Sequence, residues 1–397
     1  MQPLTAPGGT QATRGRWIWR LSGALTVSAL GVLTAIGTFA VLHSPSGQPV
    51  SMSAVPTRMF TVAGPVTALS VQSYGAPIKV TTVPGNGPAQ VAEAVTFNSF
   101  DGSPPAVTHG VSHGLLTLSA PACATFDCSV AFAVTVPAGV TVNAVADGGQ
   151  VTLVGTGAAT VDSGGGSVFA SGISGPLSVN AEGGDITVNK TTAAADLDSG
   201  GGPVSADGVA GKLTVHAEGG GITVSGAPSA YLDSGGGPVY ASAISGPLTV
   251  SGEGGGVTVT GAGATTIDSG GGPVSATTIR GPLAVTAEGG DVQANDVTGA
   301  LTADTGGGQL TASGLTSASA SVDTGGSDGS LGFTAAPASV RLRTGGGNAT
   351  VAVPGGPYAV TADSSGSPQS VSVATSPGAA SSISVSTEGG NLQIGPA

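Results

Sequence analysis

From residue 147 onward the chain repeats one short pattern, an apolar-polar-apolar triplet followed a few residues later by an acid and a run of glycines. The triplets include Ile186-Thr187-Val188, Ile222-Thr223-Val224 and Val257-Thr258-Val259, and a second set has Leu177-Ser178-Val179, Leu213-Thr214-Val215, Leu248-Thr249-Val250 and Leu283-Ala284-Val285. Strict alternation over so few residues is the signature of a half-buried strand, with the aliphatic side chains on one face and Thr or Ser on the other. The acids that follow are Asp147, Asp162, Glu182, Asp198, Glu218, Asp233, Glu253, Asp268, Glu288 and Asp304, separated by steps of 15 or 16 alternating with 20. Asp233 − Asp198 = 35 and Glu253 − Glu218 = 35, so the period is a double unit of 35 residues made of single units near 18. Repetition on that scale marks a solenoid.

The predicted fold is therefore all-β: a single-stranded parallel β-helix (β-solenoid) of about 18 residues per coil, in which stacked coils share one narrow core. Strands such as Val204-Ser205-Ala206 and Val274-Ser275-Ala276 place a small residue at a matching position, as a slender interior demands. The corner glycines are expected to supply positive φ, and each corner Asp is expected to accept hydrogen bonds from the amides just after it. In-register coils would bring these acids within roughly 4.8 Å of each other. Three arrangements relieve the repulsion: neutralisation by glycine amides, binding of a divalent cation, or a stagger between Asp and Glu corners. The cation reading names a calcium ladder of Asp162, Asp198, Asp233, Asp268 and Asp304, although the nine-residue period of calcium-binding nonapeptide repeats is not matched. Outward threonines at Thr187, Thr223 and Thr258 suggest a ladder for ice or a crystalline polymer, a pattern that solvent-facing strand packing also explains.

Composition sharpens this picture. Charged residues are 8% and aromatic residues 4%, while 70 positions are glycine, which excludes an ordinary helical or α/β domain. Abundant Val, Thr and Ile separate the chain from disordered sequences. Charge is segregated: Arg14, Arg16 and Arg20 stand at the front without an acid, and the first carboxylate is Glu93. Beyond them seven basic residues face 22 acids, giving 7 − 22 = −15. A surface of that sign excludes nucleic acid as a partner.

Residues 21–42 carry no charge and are long enough to cross a bilayer as one helix. Arginines before the segment and none close behind it place residues 1–20 in the cytoplasm as a short tail and export everything after, with Trp17 and Trp19 at the interface. A cleaved secretory signal is the rival reading, although its apolar region is ordinarily shorter. Residues 43–59 read as a Pro/Ser/Gly linker, residues 60–145 as a β-rich cap, and residues 146–397 as the solenoid. Cys123 and Cys128 are the only cysteines. In an exported setting so close a pair reads as a disulfide; the competing zinc reading draws on His109 and His113.

Two segments match the Gly-x-Ser-x-Gly elbow, around Ser112 and Ser327, but neither precedes a helical pattern. A solenoid polysaccharide lyase would need clustered acids and bases, whereas Lys190, Lys212, Arg280, Arg341 and Arg343 are scattered.

The run Phe60-Thr-Val-Ala-Gly-Pro-Val-Thr-Ala-Leu-Ser-Val71, then Gly114-Leu-Leu-Thr-Leu118, the two cysteines, Val134-Thr-Val-Pro-Ala-Gly-Val140 and the following Gly-Gly-x-Val repeats resemble a known family. It is the bacterial adhesin family of domains of unknown function with β-strand repeats, related to the auto-transporter adhesin head GIN domain. The likeness covers roughly residues 60 to 390, and the corners depart from it by writing Ser-Gly-Gly-Gly-Pro instead of Ser-Gly-Asp. It implies a parallel β-helix behind one membrane span.

The combined expectation is a membrane-anchored, extracytoplasmic structural or interaction module with no catalysis, cofactor or small-molecule substrate and with an unnamed envelope partner. An envelope-associated regulatory or sensor protein is the alternative, for which a tail of about 16 residues is small. A polysaccharide-acting enzyme or an ice or polymer binder comes third.

Overall fold

The computed structural model describes residues 52–98, 104–120 and 128–397. The predicted span 21–42 and Cys123 lie outside the described residues. Among those described, no helix is long and apolar enough to cross a membrane.

Strand Leu177–Ala181 lies parallel between Ala159–Ser163 and Ala195–Ser199, and Leu177 pairs with residues 18 positions before and after it, Ala159 and Ala195. Strand Ile186–Thr191 lies in the same way between Val168–Ile173 and Val204–Val209. Each coil thus gives one strand to each of two parallel sheets, which makes a β-solenoid of about 18 residues per coil. Parallel sheets are normally covered on both faces. Here the opposite sheet closes the inner face, and the outer face meets water through Thr, Ser, Asn and Asp.

The core explains why the period is double. A coil with Leu177, Val179, Ile186 and Val188 is followed by one with Ala195, Leu197, Val204 and Ala206, then by Leu213, Val215, Ile222 and Val224, all of them buried. Large first-position residues of one coil rest on small ones of the next, which fills the interior at near-crystalline density. Up to Val259 small residues alternate along the column of Val188, so that Ala206 lies between Val188 and Val224, whereas Ala276, Ala294 and Ala312 follow one another on neighbouring coils.

The corners differ from expectation in two ways. The glycine runs between Gly164 and Gly308 do not have positive φ, which among the acid-glycine corners is found at Gly148, Gly325 and Gly366; the third glycine of each Asp corner and the second of each Glu corner is needed for close approach. A Cβ on Gly166, Gly184, Gly202 or Gly220 would collide with the carbonyl oxygen of the glycine one coil earlier. Positive φ falls instead near the end of the other strand, at Gly172, Gly208, Gly226 and Gly261 (66, 67, 71 and 69°), and the same column holds Lys190, Ala243, Thr278 and Asp296 (57, 53, 60 and 56°). One left-handed residue per coil bends the strand into its turn without shifting the register.

The second difference is the cap. Ser163, Ser199, Ser234 and Ser269, each fully buried, donate their hydroxyls to the carbonyls of Gly166, Gly202, Gly237 and Gly272 at 2.7, 2.7, 2.8 and 3.0 Å. Among the described residues, Asp-to-amide caps occur only at Asp323, which accepts from Gly325 at 3.1 Å, and Asp363, which accepts from Ser365 at 3.0 Å. The strand period decides this: the Ser faces inward and can reach the turn, while the preceding Asp faces outward.

Both ends reorder the chain. The coil formed by Ala68–Tyr74 and Ile78–Val83 is stacked between Leu115–Ser119 with Cys128–Pro137 on one side and Thr141–Asp147 with Val151–Val154 on the other. The stack therefore starts well before the glycine motif. Antiparallel strands cover its outer edge: Gln90–Asn98 joins Cys128–Pro137, Met52–Ala54 and Arg58–Thr61 join Gln90–Asn98, and Thr108–Ser112 joins Leu115–Ser119. Part of the predicted 43–59 linker is thus strand, used to cover an edge that would otherwise pair with another chain. At the other end the final strands, Ser382–Thr387 and Leu392–Pro396, insert between Ser339–Thr344 with Ala349–Val353 and the outermost pair, Ala359–Asp363 with Gln369–Val371.

Candidate functional site

The register decides how the corner acids are arranged. Along one sheet Asp162, Asn180, Asp198, His216, Asp233, Ser251, Asp268, Thr286 and Asp304 stand side by side in successive coils. The five Asp residues of the predicted ladder are thus two coils, about 9.6 Å, apart, while Asp304 and Asp323 stand on neighbouring coils. Glu182, Glu218, Glu253 and Glu288 belong to the intervening coils, two residues further toward the corner. Of the three arrangements open to the sequence, the stagger is the one adopted. Two unit charges about 9.6 Å apart in water repel by only about 0.4 kcal/mol, and physiological salt screens them further. No group of three or more His, Cys, Asp or Glu side chains able to hold a metal ion occurs among the described residues, so the five aspartates of the predicted ladder do not converge on a cation.

Midway along this edge Asp198, His216, Glu218, Asp233 and Glu253 line an open depression of about 630 Å³. The Nδ1 of His216 lies 3.4 Å from an Asp233 carboxylate oxygen, and its ring centroid is 5.6 Å from that of Tyr231. Both side chains of the pair are well exposed, at 44% and 39%, so a protonated His216 would gain under about 1 kcal/mol from it. Such a surface attracts cations and basic groups through its field, without a shaped pocket. Toward the C-terminal end the column changes sign: Arg343 follows Asp323 and pairs with Glu388 at 3.2 Å.

The remaining predicted residues stay apart. Thr187, Thr223 and Thr258 share a column but occupy alternate coils, with Ser205, Tyr240 and Ser275 in the same register, so no continuous threonine ladder exists. Ser112 ends a strand of an antiparallel hairpin and bonds to the adjacent His113 Nδ1 at 2.9 Å. Ser327 donates to the Gly307 carbonyl one coil earlier. His109 stacks on Phe60 with ring centroids 4.7 Å apart. Cys128 opens the strand Cys128–Pro137 and is not a free thiol. Lys190 holds a left-handed position, and Lys212 starts the strand Lys212–Ala217.

The described chain thus belongs to the parallel β-solenoids and carries a staggered acidic edge. No protein-family model matches it, and no curated protein does. Among solved structures, a candidate adhesin from Bacteroides fragilis NCTC 9343 aligns over 86% of this chain and 97% of its own length, at 13% identity and a TM-score of 0.21. A score that low carries no property of that protein over to this one.

Proposed function

We propose that the protein is an exported rod, anchored by residues 21–42, that works as a surface structural or interaction module without catalysis. The observation that carries this reading is the division of labour within each coil. Inward positions are filled by aliphatic side chains in a core only two strands thick, and chemistry-bearing side chains are spread periodically along the outside. A rod of this kind presents many equivalent weak contacts, which suits avidity to a repetitive partner. The uncharged 22-residue stretch behind Arg14, Arg16 and Arg20 supports the anchor and its orientation. The export that follows makes Cys123 the partner of Cys128 in a disulfide. An adhesin-like role is the specific form of this proposal, and the family resemblance is its support.

Cell fractionation with externally added protease tests the anchor: residues after 43 should be cleaved in intact cells while the full chain sediments with membranes. Incubation of the solubilised full chain with cell-wall polymer and with envelope proteins tests the role. Retention on polymer supports the surface-module reading, and capture of a single membrane protein with no polymer retained would replace it with a regulatory one.

A further inference from the structure

The sheet opposite the acidic edge carries a groove of different chemistry. Tyr240, Thr258, Ser275, Gln293 and Thr311 stand in register on five successive coils. A second row, two residues earlier on the same coils, runs from Pro238 through Gly256 and Pro273 to Asp291 and Gln309. Between the rows lies a trough of about 530 Å³, within the range of small-ligand sites. It follows the rod axis over four coil spacings, about 19 Å, so it suits a chain-like ligand. Gly256 leaves its side of the trough open between the rings of Pro238 and Pro273. Tyr240 stands at one end, 51% exposed.

Three observations narrow the occupant. The strands beneath the trough, Val257–Ala262 and Val274–Ile279, are paired on both sides, so no backbone groups are left to add a peptide strand. Recognition has to come from side chains. No Lys or Arg lines the trough and its one carboxylate, Asp291, already accepts the Gln309 amide at 2.9 Å; a polyanion therefore finds no counter-charge, and a polycation is drawn to the acidic edge on the other sheet. What remains is a row of hydroxyls and amides that both donate and accept, next to an aromatic ring whose face is apolar and whose tip is polar.

We propose that this trough binds a neutral polysaccharide lying along the rod axis, with one sugar ring against Tyr240 and successive hydroxyls on Thr258, Gln293 and Thr311. The proposal rests on the surface-module reading and gives it a ligand class. Tyr240 then fixes one sugar position and the amides fix the orientation of the chain.

The test is affinity capture of the detergent-solubilised full chain on a panel of neutral polysaccharides (β-glucan, glucomannan, starch, chitin) and anionic ones (polygalacturonate, hyaluronan). At least one neutral polymer should retain the protein equally at about 0.05 and 0.5 M NaCl, as an uncharged contact requires. Tyr240→Ala and Gln293→Ala should each weaken that retention about tenfold, Tyr240→Phe should keep most of it, and all three variants should keep the wild-type melting temperature. Retention by no neutral polymer, retention abolished by salt, or retention unchanged in Tyr240→Ala would overturn the proposal. If Tyr240→Ala still binds whole cell-wall preparations as wild type does, the groove assignment falls while the surface-module reading stands.

Discussion

Three consecutive glycines in one corner illustrate how far residue type alone underdetermines its reason. Gly237 is required because a Cβ there would enter the carbonyl of Gly220 one coil earlier, whereas a Cβ on Gly236 meets nothing within 4 Å. Gly237→Ala should lower stability by about 1–3 kcal/mol or more, as overpacking against backbone does. Gly236→Ala should leave it unchanged or raise it by up to about 1 kcal/mol by restricting the unfolded chain. Thermal unfolding of the two variants side by side checks both, and equal effects would remove the close-approach explanation. The left-handed column makes the converse prediction. Thr278 is β-branched and holds φ at 60°, a conformation that costs an L-residue about 1–2 kcal/mol. Thr278→Gly should accordingly raise the melting temperature, and by more than Asp296→Gly, because Asp tolerates that region better.

For whole coils the relevant quantity is the alternation of large and small interior residues. Deleting residues 198–232, a full 35-residue unit, joins Leu197 to Asp233 and restores the same sequence of coils. Deleting only 198–215 brings Ala195 beside Ala230 on one sheet and Ile186 beside Ile222 on the other, leaving a void and a crowd. The shorter deletion should destabilise more, by the several kcal/mol that core cavities cost, and denaturant titration of both variants measures it. The C-terminal turn offers a pH test. Tyr358 is buried and donates its hydroxyl to the Pro354 carbonyl, and burial raises its phenol above the ordinary value near 10. The unfolded chain ionises first, so this stabilisation is complete below pH 10 and is lost as pH rises through the folded value. Tyr358→Phe should lower the melting temperature at pH 8 and narrow the gap to wild type as pH rises past 10; a gap independent of pH would refute the assignment.

Across the whole molecule the dominant field is that of the carboxylates, 22 acids against seven basic residues beyond Arg20. Each pairwise repulsion is small, but most of the charges share one sign. Raising NaCl from about 0.02 to 0.5 M should screen them and lift the melting temperature by a few degrees. Calcium chloride at matched ionic strength should do no more, because the five aspartates of the predicted ladder stand on alternate coils. A calcium-specific increase that a chelator reverses would restore the ladder reading. The rod also reads as a sum of neighbouring coil interfaces, and for that reason both ends hold their outermost coils by threading the chain back inside them.

Strand positions, the coil length, the double period and the choice of inward residues were all legible in the sequence, because alternation, glycine and acid are local features that repeat. Tyr240 and its trough were not, since a single aromatic among threonines carries no signal until neighbouring coils place Thr258, Ser275 and Gln293 beside it. The tertiary structure alone decided that the ladder acids stagger, that Ser or Thr and not Asp caps most Asp corners, that close approach and not φ demands the glycine lying against the coil before, and that terminal coils stack out of chain order. Each of these is a relation between residues one or two coils apart. Register fixes them, and register is a property of the stack, set by how large and small side chains fit across coils.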